Sequence, residues 1–189
     1  VMVVSVLLHE FGHIFAARAT GGTAEEILLW PLGGLDSVEP KRTFPAPFLT
    51  AAAGPFVNLI LCAISLPFIF SSPLFHQVWN PFVLPAVDLS SNLVVDFLLL
   101  TFSLNWLLLL LNLLPVYPLD GGQMLKSWLT VQWGSMAAAE FSLKVGIVTA
   151  VLLGIVGLLA SSTWVIALSF LIAVLALQDV QRIPMGEMY

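Results

Sequence analysis

In the run VVSVLLHEFGHIFAARA near the start of the chain, His9, Glu10 and His13 are residue types that bind metal ions and move protons. Their surroundings are apolar, and a charged side chain at the centre of a membrane helix costs about 2.5 to 3.5 kcal/mol on insertion scales. A residue kept at that cost is neutralised, paired or bound. On a helix, residues four apart project from one face, so the His9 and His13 imidazoles can reach one ion. Glu10 points about 100° further around the helix. From there its carboxylate reaches a water beside the ion rather than the ion itself. This is the H-E-x-x-H arrangement of zinc-dependent hydrolysis, with the glutamate as general base. The plainer alternative is a pair of structural histidines hydrogen-bonded within a bundle, which leaves Glu10 unexplained. Gly12 admits a close backbone or substrate, or serves helix packing alone.

A catalytic zinc takes three protein ligands and a water. His76, Asp88 and Asp96 are expected in the loop on the far side of the membrane, and Glu140 near the start of the fourth span. Asp120, in NLLPVYPLDGGQ, is the best-placed third ligand. Pro115 and Pro118 stop the preceding helix, and Gly121 and Gly122 permit an unusual backbone after the aspartate. Asp120 could also cap the short helix that follows. The residues alone do not rank the two roles.

The elements that must position these groups follow from composition. Of 189 residues, 59% are hydrophobic and 9% charged, and the mean hydropathy is +1.02. Soluble domains carry about 25% charged residues, and a soluble fold of this length cannot hide so much apolar side chain. An all-α multi-pass membrane protein embedded in a lipid bilayer is expected. Its five transmembrane helices fall at about 1–19, 48–70, 93–114, 143–160 and 163–177. One membrane domain, 1–189, is the simplest organisation, with a catalytic core of about 1–122. Val1 already stands in an apolar run without a charged leader, which suggests a truncated N-terminus. The net charge of −5 and the lack of a basic patch argue against nucleic acid as a partner. Cys62, the single cysteine, reads as a small buried hydrophobe and excludes a disulfide framework.

Threading the five spans puts Arg18, Lys41, Arg42, Lys126, Lys144 and Arg182 on one side, which the positive-inside rule makes cytoplasmic. Asp120 lies where the third span meets that side, so the site is expected a short way below the cytoplasmic surface. The stretch EEILLWPLGGLDSVEP is too short and broken to span. Its centre at Pro31, Gly33 and Gly34 suggests a short re-entrant β-hairpin, its backbone satisfied by protein or water. An ordinary cytosolic loop is the alternative. PLDGGQMLKSWLTVQW reads as a tight turn and a short amphipathic helix, with Trp128 and Trp133 as interfacial anchors.

Taken together, HEFGH and NLLPVYPLDGG resemble the site-2 protease family of intramembrane zinc metalloproteases, peptidase family M50. That pattern is HExGH on one transmembrane helix and N-x-x-P-x-x-P-x-D-G on a later one. Asn112, Pro115, Pro118, Asp120 and Gly121 stand at its spacing. AAAGPFVN resembles the family's A-G-P-x-x-N element through Gly54, Pro55 and Asn58, and PLGGL resembles its re-entrant strand loop. The last two spans carry no matching motif. The resemblance implies one zinc ion per chain held by His9, His13 and Asp120, with Glu10 as general base. It implies a transmembrane protein substrate cleaved within or near the bilayer. Asn112 and Asn58 are candidate oxyanion donors, or equally helix-to-helix hydrogen bonds. The hairpin with Gly33 and Gly34 is a candidate edge for an unwound substrate strand. A metal transporter would spread its acids and histidines across the bilayer, whereas here they cluster on one helix and one helix end. An inactive homologue acting as a binding protein would lack Glu10 or a ligand, and none is lost.

Overall fold

The computed structural model describes residues 1–30, 33–39, 43–70, 75–82 and 93–180. It divides into two compact units, 1–112 and 113–189. Within the first, the elements are α1 (Met2–Ala19), β1 (Thr23–Trp30), β2 (Gly33–Glu39), α2 (Ala46–Ile69), α3 (Phe75–Trp79) and α4 (Leu93–Asn112). The second holds α5 (Asp120–Trp133), α6 (Ser135–Leu159) and α7 (Thr163–Val180).

Helix α1 ends because Gly21 turns left-handed, with φ of 81°. Gly21 N–H then donates to the Arg18 carbonyl and Gly22 N–H to the Ala17 carbonyl. That pair of bonds satisfies the last carbonyls and reverses the chain, delivering it to β1. Strands β1 and β2 pair antiparallel, from Thr23 opposite Glu39 to Trp30 opposite Gly33, with an irregularity between Ala24 and Ile27.

In the first unit α2 packs on both α1 and α4. Hydrocarbon gives helices no solvophobic reason to associate, so close packing and interhelical hydrogen bonds must hold them. Both are visible. Gly12 lies so near α2 that an added Cβ would sit 2.7 Å from the Ala53 carbonyl oxygen. Asn105 of α4, wholly buried, donates from Nδ2 to Ser5 Oγ of α1 at 2.9 Å. Nearer the start of α4, Leu99 and Phe102 form a buried cluster with Cys62 and Ile69 of α2 and Val78 of α3. Trp79 of α3 stacks on Trp106 with ring centroids 4.5 Å apart, and Trp106 Nε1–H donates to the Trp79 carbonyl.

The second unit is a helical hairpin preceded by α5. The α6–α7 turn repeats the α1 ending without a glycine. Ser161 takes φ of 50°, while Ser161 and Ser162 donate to the Leu158 and Gly157 carbonyls. Val116, Ala150 and Ile172 form its buried cluster. Trp128 and Trp133 are exposed on α5, available to an interface.

Four of the five expected spans, α1, α2, α4 and α6, are long and apolar enough to cross a membrane. The fifth falls on α7, Thr163–Val180, whose described apolar stretch is Thr163–Ala176. Helix α6 starts at Ser135 rather than near 143. Its first turns carry Glu140 and Lys144, paired at 2.7 Å; a hydropathy reading counts the two charges separately and so starts the span after Glu140. Asp96 is not a loop residue: it lies in the first turn of α4 and is buried, while His76 lies in α3. Pro31, the acid Asp88 and the basic residues Lys41, Arg42 and Arg182 lie outside the described residues.

Candidate metal centre

Ser5, His9, Glu10, His13 and Ala17 are the buried residues of α1. Ser5, His9, His13 and Ala17 recur every fourth residue and make one stripe, with Glu10 beside it, about 100° around the helix from His9. The two imidazoles meet edge to face, with ring centroids 4.7 Å apart, and their Nε2 atoms are 3.1 Å apart. Glu10, also buried, is 6% exposed.

Helix α2 supplies the opposing wall with a stripe of its own at Thr50, Gly54 and Asn58, each buried. The Thr50 carbonyl lies 2.7 Å from His13 Nδ1. A carbonyl only accepts, so that contact places the His13 proton on Nδ1 and leaves a lone pair on Nε2. At the other end of the stripe, Asn58 Nδ2 lies 3.0 Å from His9 Nδ1. Between them Gly54 faces the imidazole edges directly. A Cβ there would overlap His13 Nε2 and come within 2.6 Å of His9 Cε1. The glycine is needed for space, not for backbone freedom.

Asp120 belongs to the second unit. Leu119 occupies the N-cap position of α5 and no side chain caps the helix. Asp120 is the first helical residue, where a carboxylate favours the helix dipole, so the capping reading does not describe it. It is 7% exposed. Gly121 and Gly122 do not take the unusual backbone expected of them, since only Gly21 and Gly134 among the described glycines have positive φ. Their role is close approach. A Cβ on Gly121 would sit 2.5 Å from the Leu113 and Leu114 carbonyl oxygens, and one on Gly122 would overlap the Val116–Tyr117 peptide. The turn holding Pro115 and Pro118 folds back on the start of α5, and Gln123 Nε2 donates to the Pro118 carbonyl.

Among the described residues, His9 and His13 of the first unit offer two imidazole nitrogens and Asp120 of the second offers a carboxylate oxygen, the donor types of a possible metal-binding group. The donor set fits zinc, which takes nitrogen and oxygen ligands and in catalytic sites three protein groups. The histidine geometry fits as well. An Nε2 lone pair on His13, fixed by a backbone carbonyl and facing a second imidazole nitrogen at 3.1 Å, requires a proton or a cation between them.

Asn112 is the half-buried last residue of α4, and Gly33 and Gly34 lie at the paired end of the strands, opposite Trp30 and Leu29. Asn58 engages His9. Thr50 and Ser5 belong to no motif in the sequence. The usable signal was a polar or small residue every fourth position in α2, matching the interval between the two histidines.

The pattern of Peptidase family M50 matches residues 1–153. A zinc metalloprotease of Methanocaldococcus jannaschii is 30% identical over 174 residues, covering 90% of this chain and 45% of that protein. Stage IV sporulation protein FB of Bacillus subtilis is 29% identical over 158 residues, 81% of this chain and 47% of the relative. The chain therefore spans less than half the length of either relative. Among solved structures, a site-2 protease from Methanocaldococcus jannaschii is similar with a TM-score of 0.65 and 28% identity. That similarity covers 94% of this chain and 74% of the other.

Proposed function

The chain belongs to peptidase family M50, and from that premise we propose that it is an intramembrane zinc-dependent endopeptidase acting on transmembrane protein substrates. The observation that carries the proposal is the buried face of α1. His9 and His13 converge there at 3.1 Å, and Glu10 is buried beside them in a helix apolar enough to span. His9, His13 and Asp120 would hold one zinc ion per chain. When bound, zinc would polarise the scissile carbonyl and make water a nucleophile near neutral pH.

The chain's own groups would supply the rest. Glu10 would take a proton from the attacking water and pass it to the departing amine nitrogen. The Thr50 carbonyl would hold His13 in one tautomer throughout, so no reorientation accompanies charge development. Asn112 is a candidate hydrogen-bond donor to the oxyanion.

A substrate helix keeps its carbonyls internally bonded and must unwind before hydrolysis. The unwound stretch would be received by strand addition on the β1–β2 pair, near Gly33 and Gly34, in a re-entrant position. The distribution of basic residues supports a site close to the cytoplasmic face.

The test is reconstitution of the full chain in bilayers with a single-span substrate, comparing wild type with Glu10→Gln. The variant should keep its zinc and lose cleavage by about 100-fold or more. Wild-type cleavage by a zinc-loaded Glu10→Gln protein would overturn the mechanism.

A further inference from the structure

The contact between Asn58 and His9 can be made in two ways, and they have opposite consequences for metal binding. In one, Asn58 Nδ2–H donates to a lone pair on His9 Nδ1, across the observed 3.0 Å. The His9 proton is then on Nε2, where it can be donated to the bare His13 Nε2 at 3.1 Å. This suits a hydrogen-bonded pair of structural histidines. The end of the carboxamide that faces away from His9 has no hydrogen-bond partner among the described residues, whichever way the group is turned, so burial does not choose between the arrangements and His9 does.

In the other arrangement the carboxamide is turned over about its last bond, which exchanges two groups of nearly equal size. Oδ1 then accepts from His9 Nδ1–H, and Nε2 of His9 carries a lone pair. His13 is already in that form, because the Thr50 carbonyl holds its Nδ1–H. Both Nε2 atoms become ligands at once. The two arrangements exclude each other, and a single side-chain rotation selects between them.

We infer that Asn58 is the positioning residue for His9: by presenting Oδ1 to Nδ1–H it makes His9 a metal ligand rather than the partner of His13. The inference rests on the proposal that His9 and His13 hold zinc, and it deepens it. Helix α2 thereby fixes both imidazoles of α1, by a backbone carbonyl at Thr50 and by a side-chain oxygen two turns later. Hydrogen-bond partners of ligand histidines are worth about 10- to 100-fold in metal affinity.

The experiment measures zinc affinity of the full chain by chelator competition for wild type, Asn58→Asp and Asn58→Leu. Asn58→Asp keeps an acceptor and cannot donate, so it should bind zinc at least as tightly as wild type. Asn58→Leu, of similar shape, should bind about 10- to 100-fold more weakly. Wild-type affinity in Asn58→Leu, or equal losses in both variants, would overturn the inference. A wild type that takes up no zinc would instead defeat the metal proposal itself.

A second readout does not depend on a variant that folds. The chain has three histidines, so nitrogen-15 labelling of histidine gives an assignable spectrum of the zinc-loaded protein. His9 should carry its proton on Nδ1 and zinc on Nε2. The reverse would overturn the inference whatever the variants do.

Discussion

Gly54 decides at the scale of single atoms whether two imidazoles can share an ion. Its missing side chain leaves the space into which the His9 and His13 edges project. Neither ring can yield, because each is held at Nδ1, by Asn58 and by the Thr50 carbonyl. Gly54→Ala should therefore lower zinc affinity by about tenfold or more, the equivalent of a modest overpacking strain. The same change improves helix propensity by up to about 1 kcal/mol, so α2 should stay folded, and circular dichroism should show it. Zinc binding at wild-type strength in Gly54→Ala, by chelator titration, would refute this account of the glycine. His9, Glu10 and His13 were legible because the helix period alone puts two imidazoles on one face. Thr50 and Asn58 were harder to read, since their importance depends on which helix lies opposite. A single sequence carries the interval but not the pairing.

Among the elements, the site depends on close approaches that small residues permit. Gly12 brings α1 onto the Ala53 carbonyl, and Gly122 brings the start of α5 onto the Val116–Tyr117 peptide. In the second case the obstacle to a larger residue is backbone, which cannot rotate away. Gly122→Ala should destabilise the protein by about 1 to 3 kcal/mol, seen as a lower thermal midpoint in detergent. An unchanged midpoint would show that the turn from Leu113 to Leu119 adjusts freely. The helices themselves were largely legible, since uninterrupted apolar runs of about 20 residues have few other outcomes. What misled was local chemistry. Glu140 and Lys144 interrupt the apolar run at the start of α6, and their pairing shows only in the structure; the glycines after Asp120 suggest conformational freedom but serve proximity. Helix α3 was invisible to periodicity because five residues are too few to show a period. Its docking depends on Trp79, Phe102 and Trp106 meeting in space.

For the whole molecule, membership of peptidase family M50 and four helices able to cross a membrane mean that the proposed hydrolysis would need water among apolar helices. The chain divides its answer. His9, Glu10 and His13 belong to the first compact unit and Asp120 to the second. Each unit has its own local reason to present those groups. We propose that His9, His13 and Asp120 serve one zinc ion, and the most direct measurement is zinc content per chain in the purified full protein. Wild type and Glu10→Gln should each hold one equivalent, while His13→Ala and Asp120→Ala should fall well below it at limiting zinc. A wild type without stoichiometric zinc, or an Asp120→Ala protein that binds as wild type does, would contradict the account.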